Sequence, residues 1–291
     1  MICAFWNSRG IAALGRKQYI DDTLVPLHVD YIGFQETKKE NFSPSFLKGI
    51  LGNRNFTWNH LPAVGSAGGV LVGVNNDCFD VISWEVKKFS DSVIAKIKSR
   101  DKIVRITTVY GSAYEDGKQA FISELHELFI NWEGPALIGG DFNLVRSQED
   151  KNNGKIDFKW VDKFNMWVDM WALVEIDITG RMYTWSNNQA NLVMSRIDRV
   201  FCSTCFDLLF PLATIKALPR VGSDHIPIIW DSGVPTVRKN KSFKFEKWWS
   251  TRVDFRDVVA KPWNVDTRRR SALDAWQQKV RFLESLPGDG V

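Results

Sequence analysis

Four cysteines in 291 residues are too few for a disulfide scaffold, so a reducing, intracellular setting is expected. No apolar run reaches the roughly 18 residues of a membrane-spanning helix, and no membrane partner is expected. The opening Met1-Ile2-Cys3-Ala4-Phe5-Trp6-Asn7 lacks the charged-then-apolar pattern of a secretion signal. No internal repeat is visible. The glycine-rich Gly65–Gly73 lacks the Gly-Lys-Ser/Thr ending of a phosphate loop, and reads as a close-packed strand. Cys202 and Cys205 have Cys-x-x-Cys spacing without two further ligands at matching distance, which excludes a zinc site; a pair of buried structural thiols is expected. His28, His60 and His126 have no metal-like partners and are read as structural or surface residues.

What is present suits a folded chain: 44% hydrophobic, 13% aromatic and 25% charged residues exclude disordered and collagen-like classes. Charge is unevenly spread. Residues 235–291 carry 13 Lys and Arg against 7 Asp and Glu, which leaves 25 against 27 in residues 1–234. A slightly acidic body with a basic tail is a weak cue for an anionic polymer partner. The 13 tryptophans are read as core and groove-lining bulk, and Trp248-Trp249 as packed against the body in preference to stacking on bases.

Strand signals are frequent: Ile2–Trp6, Tyr31–Gln35, Gly68–Val74, Ser92–Lys98, Ile103–Tyr110, Ala136–Gly139, Arg196–Phe201 and Ile226–Trp230. Helical spacing is found over Gly15–Leu27, over about 116–131 (Phe121, Leu125, Leu128, Phe129), and where Trp160, Phe164, Trp167 and Trp171 recur on one face. Four strands and no helix between Trp58 and Tyr110 exclude a plain βαβ repeat. The pattern predicts sheet packed on sheet with helices outside. A boundary near Ser232 divides a domain over 1–232 from a basic linker and tail over 233–291, with a helix predicted near 271–286.

Several strands end alike. An apolar run stops, and a side chain able to bind metal or phosphate follows at once: Asn7, Glu36, Tyr110, Asp141 with Asn143, and Asp224 with His225. Reactive groups gather where a rigid scaffold holds a strand end or loop. Each residue alone has a bland reading. Asn7 suits a turn, Glu36 a solvated rim, and a lone His225 the surface or a satisfied core. Gly140-Asp141-Phe142-Asn143 is the sharpest single motif and Ser223-Asp224-His225 the next. The ordered set carries the signal.

At these residues the chain resembles the endonuclease/exonuclease/phosphatase superfamily, with its DNase I-like fold. The resemblance runs in order through Trp6-Asn7, Gln35-Glu36-Thr37, Val109-Tyr110-Gly111, Gly139 to Asn143, Ser195-Arg196-Ile197-Asp198-Arg199 and Gly222 to His225. Within it the chain is most similar to the endonuclease domain of plant LINE-type (non-LTR) retrotransposons. The cues are Trp6 to Gly10, Tyr183-Thr184-Trp185-Ser186, Ser195 to Arg199, and Phe243-Lys244-Phe245-Glu246 to Trp248. Such elements continue into a reverse transcriptase. This chain ends at Val291, so a fragment or separate relic of an element is the expectation.

The resemblance implies an α+β, four-layer αββα sandwich, two packed mixed β-sheets flanked by helices, with a cleft at one end. It also implies roles. Glu36 with Asn7, and Asp224 as a second carboxylate, would hold the metal. Asp141 would activate water, and Asn143 would help position it. Tyr110 would hydrogen-bond the phosphate and His225 would stabilise its growing charge, with Asp198 holding the ring. Thr184 and Ser223 would be phosphate or supporting contacts. Oxygen ligands favour Mg²⁺, with Mn²⁺ the alternative. No small-molecule cofactor is implied, and a monomer is expected.

The implied activity is a metal-dependent phosphodiesterase on DNA, an endonuclease nicking one strand to leave a 3′-hydroxyl. An abasic-site endonuclease and a catalytically silent DNA-binding relic are the alternatives. Ser195-Arg196-Ile197-Asp198 departs from the Trp-Cys-Asp-Arg run of inositol phosphatases, which argues against a lipid substrate. Action on chromosomal DNA would make the location nuclear.

Overall fold

The central strands are buried along almost their whole length, one face against the other sheet and one against helices, which sorts them into two sheets that share one apolar core. The protein is represented by a computed structural model that describes residues 1–233, except Leu14 and Ser66, together with Ala260. In chain order the strands are β1 (Ile2–Asn7), β2 (Tyr31–Gln35), β3 (Phe56–Val64), β4 (Ala67–Asn75), β5 (Phe79–Val86), β6 (Ser90–Ile97), β7 (Lys102–Tyr110), β8 (Ala136–Asp141), β9 (Leu173–Glu175), β10 (Ile178–Thr179), β11 (Trp185–Ser186), β12 (Met194–Ser195), β13 (Asp198–Ser203), β14 (Thr214–Ala217) and β15 (Ile228–Asp231). The helices are α1 (Arg16–Tyr19), α2 (Pro44–Ile50), α3 (Glu115–Ile130), α4 (Phe158–Met170) and α5 (Thr204–Leu209).

The first sheet has seven strands in the order β10-β14-β15-β1-β2-β4-β3, the second six in the order β5-β6-β7-β8-β13-β9, and β11 and β12 form a separate ribbon. Both large sheets are mixed. β1 and β2 run parallel at the centre of the first, and β7 and β8 at the centre of the second. Phe5, Tyr31, Val70 and Val72 of the first sheet meet Val93, Ala95, Val104, Ile106 and Leu137 of the second in the inner core. The Tyr31 hydroxyl bonds Thr108 Oγ1 at 2.7 Å across that interface. Helices α3 and α4 cover the outer face of the second sheet with Phe121, Leu125, Phe164 and Trp167. The segment from α1 to Leu24, with α2, covers the outer face of the first. This is the four-layer αββα sandwich of the DNase I-like fold.

Several elements differ from the sequence-based expectation. The helix expected over Gly15–Leu27 is one turn, α1, followed by a wider π-turn over Ile20–Leu24. Pro26 follows closely, and a helix seldom continues past the residue before proline. Five strands, not four, fill the stretch from Trp58 to Tyr110, because β5 is a half-exposed strand with a weak pattern. Helix α2 was not anticipated. It is only seven residues long, and the Ser43 hydroxyl caps it by accepting from Phe46 N. Cys202 is buried but Cys205 is exposed and beside Ser203 Oγ, which corrects the expected pair of buried thiols. The reason is local: Cys205 falls on the open side of α5. Among the described residues no helix is long and apolar enough to cross a membrane. The basic tail over 233–291, with Trp248-Trp249 and the helix near 271–286, lies outside the described residues apart from Gly233 and Ala260.

Candidate active site

Parallel pairing brings the strand ends together. Asn7 ends β1 beside Gln35, the last residue of β2. Tyr110 ends β7 opposite Asp141, the last residue of β8, and Asp198 opens antiparallel β13 opposite the same Asp141. Cross-strand partners project to the same face, so Tyr110, Asp141 and Asp198 stand side by side. β15 runs antiparallel to β1, which returns the preceding Asp224 and His225 to the same end of the sandwich. Six scattered segments thus supply one rim.

Glycine makes the central position feasible. Gly140 has φ of 135°, and a side chain there would run into the Val109 carbonyl of β7. Four non-glycine residues at the rim, Arg9, Glu36, Lys38 and Asn143, adopt left-handed φ of 46–57°. Such backbone costs on the order of 1 kcal/mol per residue and persists where surrounding bonds over-determine it. Those bonds are present. Ser8 N donates to Gln35 O at 3.0 Å and Gly10 N to Glu36 O at 2.7 Å, lacing the two loops together. Asn143 N donates to Asp141 Oδ1 at 3.0 Å, and Asn143 Nδ2 to Gly111 O at 2.9 Å.

The buried core of the site is a chain of polar contacts. Asp198 accepts from His225 Nδ1, with its Oδ2 at 2.9 Å. His225 Nε2 faces Asp141 Oδ2 at 3.7 Å, and Asn7 Nδ2 donates to that same oxygen at 2.9 Å. Thr184 Oγ1 accepts from Ile197 N and Asp198 N, fixing the start of β13. Ser223 Oγ donates to Asn7 O at 2.8 Å and accepts from His225 N at 3.2 Å. Both hydroxyls are buried and engaged within the protein, which is a supporting arrangement. Burial pushes Asp141 up and the neighbouring Asp198 adds to that, while His225 opposes. Burial alone would depress His225, but Asp198 and then Asp141 hold it above its ordinary value. The pair therefore favours an imidazolium whose tautomer and orientation are fixed. Burial, then Glu36 and Asp141, raise Tyr110 and keep its phenol neutral.

A second group lies beside the first. Arg9 Nη1 contacts Asp224 Oδ2 at 2.5 Å, and Arg9 Nε approaches Glu36 Oε1 at 3.6 Å. Lys38 Nζ lies 3.1 Å from the same Glu36 oxygen. Trp185 Nε1 also donates to Asp224 Oδ2, at 2.9 Å, whereas Asp224 Oδ1 is buried without a partner. The structure thus joins Asn7, Asp141, Asp198 and His225 directly, and reaches Glu36 from Asp224 through one guanidinium. Sequence reading missed the bridging by Arg9 and the contact from Trp185, although both lie inside motifs that drew notice. A fixed cation two residues after a rim Asn was the available signal for Arg9.

Two sets of donors suit a cation. Asp141, Asp198 and His225 each offer an atom within 4.8 Å of the others. In that set the one imidazole lies between both carboxylates, bonded to Asp198 and facing Asp141, which fits proton handling better than metal ligation. Glu36 and Asp224, both reached by Arg9, and the Asn7 amide oxygen, which accepts from Arg9 N, are oxygen donors of the type hard divalent ions prefer. The Arg9 guanidinium lying between the two carboxylates shows that this position attracts positive charge.

Two packed mixed sheets carry an Asp–His–Asp chain at one end, with Glu36 and Asp224 joined through Arg9 beside it, an arrangement suited to phosphoester chemistry. The profile of the Endonuclease/Exonuclease/phosphatase family matches residues 4–225, and the chain belongs to that family. No curated protein matches the chain in sequence. Solved structures share the fold. The 3′-5′ exonuclease NExo from Neisseria meningitidis superposes with a TM-score of 0.60 at 16% identity, covering 79% of this chain and 99% of its own. The AP endonuclease from Leishmania major gives 0.61 at 13% identity, covering 79% and 86%. The endonuclease domain of TRAS1, a telomere-specific non-LTR retrotransposon, gives 0.59 at 16% identity, covering 79% and 96%.

Proposed function

We propose that the protein is a Mg²⁺-dependent DNA endonuclease that nicks one strand and leaves a 3′-hydroxyl, as LINE-type retrotransposition requires. The observation that carries this reading is the line of polar groups from Asp198 through His225, whose Nε2 faces Asp141 at 3.7 Å, to Asn7, beside Glu36 and Asp224 joined by Arg9. Glu36, Asp224 and Asn7 would hold the ion, which when bound supplies charge neutralisation to a phosphodiester that otherwise repels its nucleophile.

The residues themselves divide the remaining work. Asp141 receives the proton of the attacking water, its affinity for that proton raised by burial. Asn143 and Asn7 fix the Asp141 carboxylate through both oxygens. His225, charged and held by Asp198, offers Nε2 to a non-bridging phosphate oxygen as negative charge grows there. Tyr110 adds a neutral donor. The water oxygen bonds to phosphorus, the P–O3′ bond breaks, and the 3′-oxygen leaves with a proton from solvent. An anionic polymer also suits the neighbouring groove of about 420 Å³, where Lys118, Lys151 and Lys155 lie beyond Asn143.

Supercoiled plasmid incubated with the purified chain and Mg²⁺ is expected to be nicked. Chelator, Asp141→Ala and His225→Ala should each reduce the rate by at least about 10²-fold. Equal rates for parent and variants would sink the reading. Parallel assays on intact and abasic duplexes separate a general nickase from an abasic-site enzyme. Tight DNA binding without turnover under several metals would identify a silent relic.

A further inference from the structure

Arg9 has no place in that reaction scheme, yet it occupies the position where a metal would be held. Its backbone is fixed: the left-handed φ of 46°, the bond from Arg9 N to Asn7 Oδ1 at 3.1 Å and the Gly10 N bond to Glu36 O direct the side chain between two acidic strand ends. A guanidinium is always charged and presents donors in a rigid fork. Here the fork serves Asp224 through Nη1 and Glu36 through Nε. Asp224 is only 8% exposed, and its Oδ1 is left unpartnered while Arg9 and Trp185 share Oδ2. The side chain of Arg9 itself is 49% exposed, so water competes with the carboxylates for it and its ion pairs hold it weakly.

We propose that Arg9 is a resident counter-cation of the metal site, joining Glu36 to Asp224 until a divalent ion displaces it. This rests on the reading that Glu36 and Asp224 are metal ligands. Without any cation, two carboxylates at one rim would repel each other. Arg9 sets one positive charge against the two, Lys38 at 3.1 Å from Glu36 sets another, and arginine keeps its charge throughout the accessible pH range. A divalent ion must then compete with a tethered charge, which weakens its apparent affinity. The displaced side chain stays in the cleft of about 440 Å³ that it lines with Asp224 and Ser223, where an anionic substrate would meet it.

The test is a Mn²⁺ titration of the full chain without DNA, following free Mn²⁺ by electron paramagnetic resonance. Arg9→Ala is expected to bind Mn²⁺ about three- to tenfold more tightly than the parent. Arg9→Lys, which keeps the charge but loses the fork that spans both carboxylates, should fall between Arg9→Ala and the parent. Circular dichroism confirms that each variant is folded. Unchanged or weaker binding by folded Arg9→Ala overturns the proposal, as do equal affinities for the Ala and Lys variants. Glu36→Gln should lose Mn²⁺ binding with or without Arg9. If it does not, the metal assignment itself fails, an outcome distinct from failure of the Arg9 competition alone.

Discussion

Arg9 and Arg199 each bridge two carboxylates, and they do opposite things. Arg199 on β13 is 2% exposed and joins Glu175, at 2.5 Å from its Nη1, to Asp150 through Nη2. Arg146 and Arg196 also reach Glu175, at 2.7 and 3.0 Å. Burial pushes Glu175 up, but Arg199 and its neighbours outweigh that and hold it below the usual carboxylate range. Asp150 is further tied by Arg146 N at 2.7 Å and Ser147 N at 3.1 Å. Both carboxylates are committed, and the cluster ties β9 and the turn around Asp150 to β13. At the rim, Arg9 is half-exposed, contacts Glu36 loosely, and leaves one Asp224 oxygen without a partner. One set of ions is closed and structural. The other remains open to exchange.

The sharpest way to break this comparison is to remove Arg199. Arg199→Ala strands Asp150 with backbone donors alone and leaves a void in the core of the cluster. Losing one member of a buried pair costs about 3–5 kcal/mol, and the lower end applies because Glu175 keeps two other partners. Urea unfolding should report that loss. Arg199→Met, which fills the volume, should recover part of it. If Arg199→Ala unfolds at the parent's midpoint, the closed cluster contributes nothing and the contrast with Arg9 fails.

Asp91 sharpens the comparison by showing a buried acid that no arginine serves among the described residues. It lies fully buried on β6, and its two oxygens accept only from Asn59 Nδ2 of the facing sheet, at 3.0 and 3.1 Å. Burial raises it from 3.8 to about 7, with Asn59 only partly offsetting. The folded chain therefore keeps a proton that the unfolded chain has already released. This contribution to stability is full below the unfolded value and is lost as pH rises from 3.8 to about 7. Asp91→Asn should gain about 1–2 kcal/mol over the parent at pH 8 and lose that advantage as pH falls through the window. Urea melts at pH 5 and pH 8 measure both arms, and a pH-independent difference would count against the buried-acid account.

The contrast also marks what the sequence could reveal. Rim residues were legible because each closes an apolar run: Asn7 after Ile2–Trp6, Glu36 after Tyr31–Gln35, Asp141 after Ala136–Gly140. A short apolar run and its abrupt polar stop are local signals. The same holds for α3 and α4, whose aromatic stripes cover the second sheet. Strands β9 to β12 were not legible, since two or three residues cannot display a period. Their order comes from outside, as where Ser186 N of β11 donates to Asp224 O at 3.1 Å. The partners of Arg9 and Arg199 were equally hidden. Asp224 lies 215 positions from Arg9, and Asp150 lies 49 from Arg199, so only the folded topology decides which arginine is closed and which is open.

Arg9 itself should show the smallest effect on stability. Exposed ion pairs contribute about 0–1 kcal/mol, because water replaces the lost partner. In chelator, Arg9→Ala should therefore unfold within about 1 kcal/mol of the parent by urea, well short of the Arg199→Ala loss. Added Mn²⁺ should then separate the two proteins. A ligand that binds only the folded state stabilises it in proportion to the logarithm of its concentration over its dissociation constant. A site freed of its tethered competitor should gain more from the same Mn²⁺ concentration than the parent does. If Arg9→Ala instead costs as much as Arg199→Ala in chelator, the rim guanidinium is a structural tie like its buried counterpart, and burial does not distinguish the two.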